Sequence, residues 1–106
     1  MADYFKNKGD STLVPHLLGS NIRNVTTAGT RVQLTTTSTP ILSVVIKARS
    51  GITGTIYVGN NAVASTNGFA IAVGESVSIE IDDLSKVWID SSVSGEGVTY
   101  LYVTTA

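Results

Sequence analysis

The sequence predicts an all-β protein: a single-domain β-sandwich of about eight short strands, jelly-roll-like, preceded by an extended amino-terminal arm. Three observations predict it. Thr, Val and Ile are abundant from Asn21 onward, with turn residues recurring about every 8 to 12 positions. Pro stands only at positions 15 and 40. No stretch of about ten residues joins a helical period to good helix formers. The division expected from this is an arm over residues 1–20 and a sandwich over residues 21–106.

The strands follow in order. "TRVQLTT" alternates, with Val32 and Leu34 on one face. "ILSVVIKAR" puts Leu42, Val44, Ile46 and Ala48 on one face, and its other face ends in Lys47 and Arg49. "TIYVG" follows the turn "SGITG". In "GNNAVASTNG", two turn clusters stand on either side of Val63 and Ala64. In "GFAIAVGES", Phe69, Ile71 and Val73 alternate with Ala70 and Ala72, as a short strand lying flat on a neighbour would. "SVSIEID" is the cleanest strand, with Val77, Ile79 and Ile81 inward and Ser78 and Glu80 outward. "KVWID" places Val87 and Ile89 opposite Trp88, and "VTYLYVT" closes the chain after "SGEG". A loose echo between the two halves, each ordered Gly, strand, "LS", strand, turn, strand, suits a sandwich of two similar halves.

The arm has a different composition. Tyr4, Phe5, Leu13, Val14, Leu17 and Leu18 are scattered among charges, Gly9, Pro15 and Gly19 without a sustained period. Disordered tails are poor in such side chains. Two readings stay open: a partly disordered terminus, or an extended arm in which these six residues dock on a neighbouring subunit.

Composition narrows the function. At 106 residues the chain can bury roughly two-thirds of its unfolded surface, enough for a two-layer core without staples. It has no cysteine, which removes disulfides, zinc–thiolate sites and a thiol nucleophile together. That usage fits assembly inside a cell. The net charge is -1, with no basic stripe for nucleic acid and no acidic tail. No secretory leader and no membrane-length apolar run is legible. Only 14% of residues are charged while 42% are hydrophobic, a balance that favours self-assembly or docking on a large partner.

No constellation for catalysis is legible, and neither a metal nor a cofactor is expected. The one histidine, His16, sits beside Pro15 in the arm, a poor place for an imidazole that must be held rigidly. No Ser stands in a G-x-S-x-G elbow; "GESVS" lacks the second glycine and leads into a strand. Asp82-Asp83 reads as a turn at a strand end, and Asp90 and Glu96 as loop and edge charges. The "NVT" sequon at Asn24 reads as a chance match. Trp88 is open to three readings: core, subunit interface or sugar platform.

Three segments, "NVTTAGTRVQL", "IYVGNNAVASTNGFAIAVGESVSIEIDDLSKVWID" and "GEGVTYLYV", resemble small β-sandwich domains of tailed-bacteriophage virion proteins. The resemblance runs from Asn24 to Val103 and is strongest in the order of "NGF", "GESVS", "IDDLSK" and "GEGV". It implies a non-enzymatic virion structural protein, and it carries no catalytic residue across. A capsid decoration, or cement, protein is the expectation. It would bind the major capsid protein at joints between capsomers, through its arm and sandwich, with trimers favoured. The virion surface is then its place, and the host cytoplasm its site of assembly. The alternative is a tail, baseplate or fibre module that binds another tail protein or a host-surface glycan.

Overall fold

The computed structural model describes residues 17–105. They form eight strands: β1 (Leu18–Asn24), β2 (Val32–Gln33), β3 (Ile41–Ala48), β4 (Ile56–Gly59), β5 (Phe69–Ile71), β6 (Ser76–Glu80), β7 (Trp88–Ser91) and β8 (Gly97–Thr104). A 3-10 turn, Leu84–Lys86, links β6 to β7. Two four-stranded antiparallel sheets result, one ordered β1-β8-β3-β6 and the other β2-β7-β4-β5. This is the strand order of a jelly roll: every connection crosses between the sheets except the β4–β5 hairpin.

The core follows from the two-residue period. In β3, Val44, Ile46 and Ala48 point inward while Val45 and Lys47 point out. Val98 and Tyr100 of β8 continue that inner face, opposite Ile56 and Val58 of β4, Ile71 of β5 and Ile89 of β7. Leu34, Leu84 and Val87 are buried beside Ile41, and Leu34 N–H donates to Val87 O at 2.9 Å. Burying each such aliphatic side chain stabilises by about 1.5–3 kcal/mol.

Three expectations change. The alternation in β3 breaks at its start, where the register slips between Ile41 and Ser43. Ile41 therefore fills the core and Leu42 is only partly buried, the reverse of a strict two-residue count. β5 is shorter than the alternation of Phe69, Ile71 and Val73 suggests: Ile71 is buried, Phe69 and Val73 are exposed, and Val73 lies in the turn before Gly74. Finally, the sheet begins inside the segment read as arm. Leu18, Gly19 and Ser20 pair with Val103, Tyr102 and Leu101, so the boundary falls before β1 and not at residue 20.

The two long sides of the sandwich differ. On the β1/β2 side the sheets are tied: Arg23 Nε donates to Gln33 O at 2.8 Å, and Tyr100 Oη donates to Leu34 O at 3.3 Å. The β6/β5 side is open. Val58 and Phe69 from one sheet, with Val77, Ile79 and Ile81 from the other, line an apolar cleft of about 380 Å³.

Candidate interaction surface

The outer face of a sandwich sheet ordinarily carries the polar half of each alternation. The β1-β8-β3-β6 sheet departs from that. Residues directly opposite one another share a face. Leu18 faces Val103, Leu101 faces Val45, and Ile22 lies one pair further along β1. All five project away from the core. Leu18 is 71% exposed, Ile22 48%, Leu101 46% and Val45 38%. They span three adjacent strands, roughly 10 Å across and about 13 Å along the strands. Small hydroxyl residues (Ser20, Ser43, Ser76, Ser78 and Thr99) fill the rest of the face. The charges its strands carry, Lys47 and Glu80, stand at opposite ends of the β3–β6 pair, and Arg49, just past β3, is held at the end of the face by Asn24 Oδ1 at 3.1 Å. Large apolar side chains gathered on an exposed face mark contact with another surface.

Of the residues expected at an interface, Leu18 belongs to this group. Leu17 stands just before it, exposed, tethered by its N–H to Thr104 Oγ1 at 3.0 Å and by its carbonyl to Thr104 N–H at 2.8 Å. Tyr4, Phe5, Leu13 and Val14 lie outside the described residues, as does His16. Trp88 projects from the outer face of the other sheet, on the far side of the sandwich, so it shares no surface with Leu17 and Leu18. Ile22, Val45, Leu101 and Val103 were not picked out by the sequence reading. The signal was there: "SVVIK" and "TYLYV" place apolar residues at positions whose neighbours already point into the core.

The loop over Asn60–Gly68 is architectural. Asn60 Oδ1 accepts from Ala62 N–H at 2.9 Å, Asn67 Oδ1 accepts from Ala64 N–H at 2.8 Å, and Asn67 Nδ2 donates to Ala62 O at 3.1 Å. Side chains that bond their own loop in this way shape the chain as a turn. Val63 between them is buried.

The acidic residues also fix turns. Asp83 accepts from Ser38 Oγ, Thr39 N–H at 3.0 Å, Ser85 N–H at 2.9 Å and Ser85 Oγ at 2.8 Å. These donors, Ser38 Oγ foremost, hold its carboxyl well below the usual carboxylate range. The group joins the β2–β3 loop to the 3-10 turn. Its neighbour Asp82 pairs with Lys86 Nζ at 2.8 Å in the open. Glu96 accepts from Thr53 N–H, Thr53 Oγ1 and Gly54 N–H at 2.8–2.9 Å, and its carboxyl is lowered chiefly by the Thr53 amide. Asp90 corrects the reading of an edge charge. It is 3% exposed, sits within β7, and accepts from Gly29 N–H at 3.0 Å and from Ser91 N–H at 2.7 Å. It pins the β1–β2 loop over the outer face of its sheet.

Comparison with family models, curated proteins and solved structures found no match to this chain.

Proposed function

We propose that this protein is a non-enzymatic structural component of a virion, a capsid decoration protein that binds the head surface and stabilises joints between capsomers. The observation that carries the reading is the apolar outer face around Leu18, Val45 and Leu101, a contact surface on a compact jelly roll. The resemblance of Asn24 to Val103 to small phage β-sandwich domains supplies the setting.

The mechanism is burial of that face against the major capsid protein or a neighbouring copy, with trimers favoured by the resemblance. β1 is an edge strand of the same sheet, and it continues directly from the apolar-studded residues 1–16. An arm leaving from an edge strand can add a strand to a partner's sheet. Each contact is small. Repetition over a lattice of identical sites makes the whole tight.

The testing experiment is the number of copies per purified particle, measured by quantitative mass spectrometry against the major capsid protein. Hundreds of copies in fixed ratio to the capsid support decoration. A dozen or fewer moves the protein to the tail, baseplate or connector, and absence from the particle overturns the reading.

A further inference from the structure

The face on the far side of the sandwich is built differently. In the β2-β7-β4-β5 sheet, Trp88 points outward, flanked in the ladder by Gln33 on β2 and Gly59 on β4. Gly59 has no side chain to cover the indole. A Cβ there would stand 2.9 Å from Val63 Cγ2, so the Asn60–Gly68 loop packs close against it and forms a wall. The opposite wall is the β1–β2 loop, held down by Asp90 through Gly29 N–H. Arg31 Nε donates to Asn61 O and ties the two walls together.

Two concavities of about 400 Å³ each meet at Trp88. Gln33, Asn60, Asn61, Ser85 and Lys86 line one, and Gly29, Thr30 and Arg31 line the other. The lining contains an aromatic plate, three amides, two hydroxyls and two cations. It contains no carboxylate, although the chain as a whole is net negative. Gln33 is already oriented, its Nε2 donating to Ser85 O at 2.9 Å, which leaves Oε1 free to accept. The wall loops are fixed by their own Asn60, Asn67 and Asp90 bonds, so little ordering would be lost on binding.

This chemistry suits one ligand class. A pyranose ring offers an apolar C–H face for an indole and a rim of hydroxyls for amides. Arg31 adds a preference for negative charge, since Lys86 is already paired with Asp82, and a guanidinium meets a carboxylate in a two-bond fork. We propose that the Trp88 trough binds an acidic oligosaccharide, with a sugar ring stacked on the indole and its carboxylate on Arg31. The proposal stands apart from the decoration role, which uses the opposite sheet.

Trp88 is the only tryptophan in the chain, so its emission reports this site alone. The experiment titrates the full chain with a galacturonic acid hexamer, with sialyllactose, and with maltohexaose as a neutral comparison. The expected result is a saturable emission change with an acidic probe and affinity at least about tenfold weaker for maltohexaose. Arg31→Gln should abolish that preference, and Arg31→Lys, which keeps the charge, should retain part of it. Calorimetry on Trp88→Phe, which preserves an aromatic ring at the position, should show weakened binding with an unchanged fold by circular dichroism. A flat titration with both acidic probes overturns the proposal. So does an equal response to maltohexaose, or a preference that survives Arg31→Gln intact.

Discussion

Gly97 passes so close to Arg23 that a Cβ on it would stand 2.0 Å from the Arg23 carbonyl oxygen and 2.5 Å from Asn24 Cα. Gly97 opens β8 and pairs with Asn24 at the end of β1. Both obstacles are backbone, so nothing can swing aside. Gly19, at the other end of the same pair of strands, is crowded too: a Cβ there would lie 2.3 Å from Cζ of Tyr102. In that case the obstacle is the far end of a side chain. Gly97→Ala should therefore cost about 3 kcal/mol, at the upper end of overpacking penalties, and Gly19→Ala about 1 kcal/mol. Urea unfolding of the two variants checks the order, and equal midpoints would show that the β1–β8 pair adjusts its backbone freely.

Asp83 predicts an acid limb in stability. Its folded-state pKa lies below the value of about 3.9 expected when unfolded, because its four donors favour the charged form. A carboxyl depressed on folding contributes stability that is full above the unfolded pKa and lost as pH falls through the folded one. Glu96, lowered by Thr53 and Gly54, acts in the same direction. The melting temperature should be level above about pH 5 and fall toward pH 2. In Asp83→Asn the fall should be shallower, and the plateau lower. A wild-type curve flat down to pH 2 would mean that these carboxylates are no better held in the fold than in the unfolded chain.

What the sequence displayed and what it hid have the same physical origin. Strands whose inner face is aliphatic, such as β3 and β7, announce themselves by alternation. β1 does not. The residues on its core side are Gly19, crowded by the Tyr102 ring, Asn21, which stays exposed at the sheet edge, and Arg23, which reaches across to Gln33 O, so none is aliphatic. Only its outward residues Leu18 and Ile22 are apolar, which inverts the usual signal. The bulge that puts Ile41 in the core in place of Leu42 is likewise invisible to a two-residue count. Trp88 was legible only as standing opposite Val87 and Ile89, with core and surface both open, and the loop from the first half of the chain that walls it was not legible at all. That placement depends on Asp90 reaching Gly29, a contact across 61 positions of sequence.

The apolar outer face gives a prediction that separates folding from assembly. Leu101 and Val45 face one another across β8 and β3, both exposed. Leu101→Lys removes one cross-strand contact worth about 0.2–1 kcal/mol and buries no charge in the isolated chain. The variant should melt within a few degrees of the wild type, yet lose self-association by sedimentation and fail to bind undecorated heads. Wild-type binding by Leu101→Lys would remove this face from the interface.

The position of β1 sets where the arm can be cut. Deleting residues 1–16 leaves Leu17 and Leu18 to engage Thr104 and Val103, so the sandwich should keep its melting temperature. Deleting residues 1–20 takes away the Leu18, Gly19 and Ser20 pairings and uncovers Tyr102. A loss of even 1 kcal/mol lowers the melting temperature of a domain this size by about 4–8 °C, so the two deletions should be plainly distinct. Head binding then separates the arm from the sheet face. The shorter deletion is folded by expectation, so if it fails to bind heads, residues 1–16 themselves make the attachment. If it binds as the full chain does, attachment runs through the Leu18–Leu101–Val45 face without the arm, and strand addition by the arm is excluded as the mechanism.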